Sequence, residues 1–188
     1  MKGNGIVKLT SESNILYVRA SLRPIAAQIK SYGDIYNYLQ SKVEFSDIFA
    51  PHFFGSRPFW RNKINPIDRK TNSGALGKAI RRIEGSALSS HPTHAFTGFG
   101  PQILPILASH TQDSKCFEPI QKLVDANDFS MLLLGCIDES PGFSTVHAAQ
   151  ERLGLTQRHL ERFLLRWDYI ENGITKSKIA PESPGCSR

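Results

Sequence analysis

Long hydrophobic runs are missing from this sequence. The most apolar stretch, residues 131–134 with their flanks, is far shorter than the roughly 20 residues that a helix needs to cross a bilayer. Residues 1–5 also lack the apolar segment of a secretory signal peptide. These two absences predict a cytoplasmic protein without a membrane-spanning helix.

Cysteine is also scarce, with three residues in a chain of 188. Cys116, Cys136 and Cys186 are widely spaced and odd in number, which is typical of neither a disulfide framework nor a paired metal-ligand motif. We therefore expect free thiols, as in proteins of a reducing compartment.

Acidic residues are too few to balance the basic ones. The chain has 23 lysines and arginines against 17 aspartates and glutamates, a net charge of +6 and a pI near 9.3. This excess favours an anionic partner, which the charge alone leaves open among nucleic acid, a nucleotide-type cofactor and a sugar nucleotide. The basic residues are scattered and no nucleic-acid-binding signature accompanies them, so we do not expect nucleic acid to be the partner.

The hydrophobic patterns predict a single domain over residues 1–188 in which strands alternate with helices. The predicted strands are 15–18, 48–54, 93–99 and 129–136, and the predicted helices are 25–39, 73–85, 102–110 and 144–154. The strand at 129–136 is continuously apolar, so we expect it to be buried on both faces. Asn172-Gly173 is a strong hairpin turn between 162–171 and 174–179. The expected fold is α/β, with a mixed central sheet flanked by helices and a C-terminal β-hairpin.

The first strand leads into a possible anion site. Ser21 and Pro24 suit the start of a helix, where free backbone N–H groups attract anions. A plain capped helix explains the same residues, so both interpretations stay open. On the helix after Ser73, the face with Lys78, Arg81 and Arg82 is likewise either solvated or a phosphate-binding face.

Three histidines are the candidates for chemistry. His91 and His94 lie in a segment rich in glycine and proline, and loops of this kind often carry functional side chains. His147 lies on a predicted helix after the hydroxyl residues Ser144 and Thr145, which can donate hydrogen bonds to a substrate. A structural histidine is the alternative for His147. Neither a zinc ligand pattern nor a Gly-x-Ser-x-Gly elbow is present, so we expect no metal and no serine hydrolase.

The segment Ser89-Ser90-His91-Pro92-Thr93-His94-Ala95-Phe96 is similar to the Arg-Ser-x-His-Pro-x-His-Ser motif of the aminoglycoside 3-N-acetyltransferase family. Further segments resemble this family in the same order along the chain. They are Leu16-Tyr17-Val18-Arg19-Ala20-Ser21-Leu22, Asn65-Pro66-Ile67-Asp68, Ser73-Gly74-Ala75-Leu76-Gly77, Arg81-Arg82, Leu132-Leu133-Leu134-Gly135, Ser144-Thr145-Val146-His147 and Pro184-Gly185-Cys186-Ser187-Arg188.

The resemblance implies acetyl transfer from acetyl-CoA to an amino group of an amino sugar, an activity associated with antibiotic resistance. The residues implied for coenzyme A are Ser21, Leu22, Arg23 and Arg81, and those implied for acetyl transfer are His147, His91, Glu151, Thr145 and Ser144. We interpret His147 as the base or the residue that orients it, and His91 as a positioning residue, although these two roles can be exchanged.

Several positions depart from the family's pattern. Arg19 stands where the family usually has histidine, Ala20 and Ala95 stand where it has serine, and the family's His-x-x-Glu reads His147-x-x-Gln150. Glutamine cannot accept a proton. Glu151 is one residue further on, a rotation of about 100° around a helix.

Two questions therefore stay open from the sequence. The chain is short at both ends, so it is either a compact variant or a truncated copy of the family. It is also either an enzyme or a non-catalytic remnant that binds coenzyme A or a partner. For an enzyme, the positive charge favours an anionic sugar nucleotide or polysaccharide precursor over a polycationic aminoglycoside.

Overall fold

The computed structural model describes residues 13–29, 31–54, 73–136, 144–154, 164–171 and 174–181. The turn predicted at Asn172-Gly173 and the family-like segments at 65–68 and 184–188 lie outside these residues. No described helix is long and apolar enough to cross a membrane. The expectation of one domain over 1–188 stays a prediction.

A five-stranded mixed sheet forms the centre of the described fold, which confirms the expected α/β class. Its strands are β1 (Ile15–Ala20), β2 (Asp47–Pro51), β3 (Ala87–Leu88), β4 (Phe96–Phe99) and β5 (Ser130–Leu134). Their order is β3-β4-β2-β1-β5. Strand β1 pairs in parallel with β2 and β5, whereas β4 is antiparallel to both β2 and β3.

Helices cover both faces of this sheet. They are α1 (Ile35–Gln40), α2 (Ala75–Ile80), α3 (Ile103–Ser109), α4 (Glu118–Ala126) and α5 (Ser144–Arg152), with 3-10 helices at Arg23–Gln28 and Tyr32–Asp34. Alternate residues of a strand point to opposite faces. Leu16 and Val18 therefore join the core beneath α1 and α2, while Tyr17 and Phe49 join the core beneath α3, α4 and α5.

The expected C-terminal hairpin is also present. Strand β6 (Leu164–Glu171) pairs antiparallel with β7 (Ile174–Pro181) in a separate two-stranded sheet, with Glu171 opposite Ile174. This register is the one that a two-residue turn at Asn172-Gly173 requires.

Two local predictions were wrong. The strand expected to be buried on both faces is β5, which is an edge strand whose residues are only partly buried, because β1 is its one neighbour in the described sheet. The helix expected at 25–39 is broken. The Ser31 hydroxyl accepts the Gly33 N–H and the Asp34 carboxylate accepts the Ser31 N–H, a capping box that starts a new helix at this point.

Helix α2 packs closely on the end of β2. A Cβ atom on Gly77 would lie 2.9 Å from the Pro51 carbonyl oxygen and 3.1 Å from His52 Nδ1. Only glycine permits this approach of helix to strand, and it fixes where α2 begins relative to the ends of β1 and β2.

Candidate functional site

A cavity of about 460 Å³ lies where β1 and β2 end and α2 begins. It is lined by Val18, Arg19, Ala20, Ser21, Leu22, Arg23, Ala50, Pro51, Ser73, Gly74, Ala75 and Leu76. Three of the four residues that the family resemblance assigns to coenzyme A, Ser21, Leu22 and Arg23, therefore line one cavity. Its position at the carboxyl ends of parallel strands is where α/β sheets usually bind ligands.

The cavity is positively charged. Arg19 and Arg23 line it together, and none of the described residues that line it is acidic. The ion pairs between described residues, Lys122–Glu118 and Arg152–Asp125, involve neither arginine. Two arginines without a carboxylate partner at a cavity favour an anionic ligand.

The chain around Ser21 differs in detail from the expected helix start. The Ser21 N–H donates to the Leu134 carbonyl oxygen at 2.9 Å, which extends the pairing of β1 with β5. A 3-10 helix then begins at Arg23, preceded by the buried Leu22 and without a side-chain cap. The Ser21 backbone N–H is thus used within the fold and is not free to bind an anion.

Arg81 lies away from the cavity lining, at the C-terminal end of α2. Its guanidinium donates to the Ser86 carbonyl oxygen at 3.2 Å and is exposed. Burial, together with the positive charge of Arg81, lowers the pKa of His52. Within the described residues, Arg81 is therefore placed next to His52, at the opposite end of α2 from the cavity.

A second region of the site is a buried histidine cluster formed by His91, His94 and His110. The His91 and His110 rings stack 4.8 Å apart at 12°, and His91 lies 5.8 Å from His94. His91 Nδ1 accepts hydrogen bonds from the N–H groups of Thr93 and His94 at 3.3 and 3.0 Å. The His-Pro-Thr-His motif thus closes a tight loop around the His91 ring.

The other two rings are also bonded within the fold. His94 Nδ1 lies 2.7 Å from the Thr93 hydroxyl. His110 lies with Nε2 3.1 Å from the Lys115 carbonyl oxygen and Nδ1 3.0 Å from the Ser89 hydroxyl. Since the carbonyl only accepts, Nε2 of His110 carries the proton and Nδ1 accepts from Ser89.

Burial keeps two rings of this cluster neutral, those of His94 and His110. It lowers the pKa of His94 to about 3, with smaller contributions from the charges of His110 and His147. Burial likewise lowers the pKa of His110 to about 4. A low-dielectric surrounding penalises the charged imidazolium, so both rings are uncharged near neutral pH.

His147 lies on α5 beside the cluster. Its Nδ1 atom is 3.0 Å from the Gln150 Oε1 atom, and its ring stacks on Phe117 with centroids 5.7 Å apart. Phe117 in turn lies 5.0 Å from His94. The structure therefore brings His147 and His94 into contact with one phenylalanine.

The Glu151 carboxylate is directed at α4. Its Oε2 atom accepts the Phe117 N–H at 3.1 Å and the Gln121 amide N–H at 2.7 Å. Burial raises the pKa of Glu151, against the lowering effect of the N–H groups of Phe117 and Cys116. The carboxylate thus belongs to the contact between α4 and α5.

The two hydroxyl residues stand at the first turn of α5. Ser144 is 3% exposed, whereas Thr145 is partly exposed. Ser144 precedes His147 by three residues, a spacing that places both on one face of a helix. Of the two hydroxyls, Ser144 is therefore the one on the side of His147.

Phe53 joins the cavity to the histidine cluster. Its backbone N–H donates to the hydroxyl of Ser73, a cavity-lining residue. Its ring lies 4.9 Å from His94 and 6.0 Å from Phe117. The cavity and the histidine cluster are therefore neighbours at the end of the sheet where the carboxyl ends of β1 and β2 lie.

Sequence reasoning missed three residues of this region. His110, Phe117 and Gln121 come from the end of α3 and from α4, a helix that was not predicted. No local motif marks them, because their roles arise only in the folded chain: His110 packs on His91, while Phe117 and Gln121 act where α4 meets α5.

Comparisons with known proteins agree with this architecture. A family model described as aminoglycoside 3-N-acetyltransferase matches residues 50–169, more than half of the chain. AAC-IIIb, solved in a binary complex with CoASH, is similar with a TM-score of 0.57 and 17% identity, over 91% of this chain and 69% of that one.

Two further solved structures are similar. AAC-VIa with bound sisomicin has a TM-score of 0.64 and 14% identity, over 89% of this chain and 68% of its own. YokD from Bacillus subtilis has a TM-score of 0.63 and 17% identity, over 93% and 70%. The chain thus spans about two thirds of the length of these proteins, and at such identities the likeness shows a shared fold. A sequence search among curated proteins finds no match.

Proposed function

Since the chain belongs to the aminoglycoside 3-N-acetyltransferase family, we propose that it transfers an acetyl group from acetyl-CoA to an amino group of an amino sugar. The observation that carries this proposal is His147, which is bonded to Gln150 through one ring nitrogen and packs on Phe117, the ring that also contacts His94. A cytoplasmic location, expected from the sequence, is part of the same proposal.

The cavity suits acetyl-CoA. Its cationic lining complements the phosphates of coenzyme A, and Ser21, Leu22 and Arg23 are the residues that would contact it. The similar AAC-IIIb was solved with CoASH. Arg81 would take part only at a distance from the cavity, as a surface charge. Acetyl-CoA supplies the activated acyl group, a thioester.

His147 is the proposed base. A glutamine Oε1 atom only accepts hydrogen bonds, so the contact with Gln150 fixes the proton of neutral His147 on Nδ1. The lone pair then lies on Nε2, for which the described residues supply no hydrogen-bond partner. His147 Nε2 takes the proton of the attacking amine as the C–N bond forms, and returns it to the departing sulfur as the C–S bond breaks.

Ser144 and Thr145 are the proposed donors to the carbonyl oxygen. Negative charge develops on this oxygen during attack, and hydrogen bonds to it lower the barrier. Ser144 shares a helix face with His147 and has the better position of the two. His91 has a positioning role in this proposal, because its Nδ1 atom holds the loop of Thr93 and His94.

The acceptor class follows from charge. The similar AAC-VIa was solved with sisomicin, yet this chain has a net charge of +6 and a cavity with two arginines. A polycationic aminoglycoside is repelled by such a surface. We propose an amino sugar that carries a phosphate or carboxylate, such as a sugar nucleotide or a polysaccharide precursor.

A non-catalytic coenzyme A-binding protein is the second candidate, and Gln150 favours it. An amide can hold the His147 proton in place, but it cannot stabilise the imidazolium as a carboxylate does. In this alternative the cavity binds coenzyme A or acetyl-CoA, and no acetyl group is transferred.

Release of free thiol from acetyl-CoA in the presence of amino sugars tests the proposal. The panel should contain neutral, anionic and polycationic acceptors, with binding of acetyl-CoA measured in parallel by calorimetry. We expect binding, and turnover with anionic acceptors. Binding without turnover for every acceptor would decide for the non-catalytic alternative, and absence of binding would contradict both versions.

A further inference from the structure

Helix α4 begins without a cap of its own. Its N-cap residue is Phe117, whose side chain makes no capping hydrogen bond. The first backbone N–H groups of a helix need an acceptor. Here the Phe117 N–H finds it in the Glu151 carboxylate, which comes from α5.

Gln121 completes a latch between the two helices. Its amide nitrogen donates to Glu151 Oε2 at 2.7 Å and lies 3.4 Å from the Ala148 carbonyl oxygen. Glu151, Gln121 and the Phe117 backbone thus form one hydrogen-bonded group, only partly accessible to solvent. We call this group the carboxylate latch.

The latch acts on the residue that touches His147. The Phe117 ring is fully buried and contacts both the His147 ring, at 5.7 Å and 29°, and the His94 ring, at 5.0 Å. An imidazole bound to a flexible amide on one side takes its orientation from the ring packed on its face.

We infer that Glu151 is a positioning residue for His147, acting through the Phe117 backbone, and that it is not a proton acceptor in the reaction. The inference rests on the proposed role of His147 as base. It assigns to Glu151 a function different from that of the glutamate in the family's His-x-x-Glu pattern, because its carboxylate is directed at α4.

Two substitutions at one position separate these roles. Glu151→Gln keeps an oxygen that accepts the Phe117 N–H but cannot take up a proton. Glu151→Leu keeps similar bulk and removes the acceptor. A positioning residue is rescued by glutamine and not by leucine, whereas a base is lost in both.

The control is Asp125→Asn. Asp125 forms an exposed ion pair with Arg152 that also joins α4 to α5, but it does not contact Phe117. This variant weakens the packing of the two helices while the latch stays intact. Gln121→Leu is a second test of the latch, should Glu151→Leu fail to fold.

The experiment combines NMR of the histidine side chains with thiol release, using the full chain. We expect the His147 ring resonances to move in Glu151→Leu and Gln121→Leu, and to stay in place in Glu151→Gln and Asp125→Asn. Turnover should fall at least tenfold in the first pair and less than threefold in the second.

Two results would overturn the inference. One is unchanged His147 resonances in Glu151→Leu and Gln121→Leu. The other is equal loss of turnover in Glu151→Gln and Glu151→Leu with unmoved resonances, which would make Glu151 a base. If the wild type shows no turnover at all, the proposed function fails, yet the resonances still decide whether the latch orients His147.

Discussion

In the cavity at the end of β1, Arg19 and Arg23 have no carboxylate partner among the described residues. In the neighbouring histidine cluster, the Nδ1 atoms of His91, His94 and His110 are all bonded within the fold. The two regions lie at the same end of the sheet, but the two arginines of the first have no carboxylate partner among the described residues, whereas the histidine rings of the second are bonded within the fold.

This difference separates two kinds of functional evidence. A charge without an internal partner at a cavity is expected to gain its partner from a ligand. A buried polar group with internal partners is expected to hold a local geometry. His147 stands between these cases, since its Nδ1 atom is bonded to Gln150 and its Nε2 atom has no partner among the described residues.

Replacement of His147 tests the role of its Nε2 atom, which has no partner among the described residues. We expect the largest effect from this substitution. Loss of a general base lowers turnover by roughly 10²- to 10⁴-fold, so His147→Gln should show thiol release reduced to this extent. Binding of acetyl-CoA should stay within about twofold, because other residues line the cavity.

Val146→Ala is the matched control for His147→Gln, since Val146 is 50% exposed on the same helix. It should leave turnover unchanged. An active His147→Gln enzyme would contradict the role of His147 while leaving the reaction itself intact.

The stability of the protein in acid tests the histidine cluster, whose rings are bonded within the fold. The unfolded chain binds protons on histidine below a pKa of about 6.5, whereas burial lowers the pKa of folded His94 to about 3 and of His110 to about 4. The unfolded state therefore takes up protons first, so the free energy of unfolding is highest above pH 6.5 and falls as the pH decreases.

Each of these histidines should account for roughly 2 kcal/mol of the stability lost between pH 6.5 and 4.5, from about 1.4 kcal/mol per pH unit. His94→Asn and His110→Asn should therefore flatten the pH dependence measured by urea unfolding. Leu123→Ala, at another buried position, should lower stability by the same amount at each pH. A pH dependence unchanged in both histidine variants would show that their rings are not the groups excluded from protonation.

All the described strands except the two-residue β3, and most of the helices, could be predicted from the sequence, because each follows from a local pattern of apolar and turn residues. Ser21, Leu22 and Arg23 were assigned by the family resemblance, and they line one cavity together because they are consecutive. His147 and Gln150 meet because three residues separate neighbours on a helix face.

The remaining features depend on contacts between distant segments. A continuous apolar run does not show whether a strand is central or at an edge, so the position of β5 was missed. Phe117 and His110 have no motif, and their contacts with His147 and His91 exist only in the folded chain. The direction of the Glu151 carboxylate is set by α4, a helix that the sequence patterns did not indicate.

Removal of the arginines should have a smaller effect than the acid titration. Arg19→Ala should weaken binding of acetyl-CoA about tenfold, equivalent to about 1.4 kcal/mol, and Arg23→Ala by less because it is exposed. Both losses should shrink in high salt, which screens charges near the surface. Arg82→Ala is the control, an exposed arginine just after α2 and outside the cavity lining. Equal losses in all three variants would assign the effect to net charge.

Gln150→Glu should have the smallest effect. It tests how the partner of His147 Nδ1 influences proton transfer. The new carboxylate would replace an amide oxygen that lies 3.0 Å from His147 Nδ1. It would stabilise the imidazolium formed during proton transfer by up to about 1 kcal/mol, as partly exposed ion pairs do. Turnover should therefore rise up to about fivefold, with unchanged binding of acetyl-CoA.

Gln150→Leu, which removes the acceptor, should lower turnover. If the wild type is inactive and Gln150→Glu gains turnover, the missing activity is assigned to this one amide. Lower turnover in Gln150→Glu than in the wild type would mean that His147 must stay paired with a neutral group.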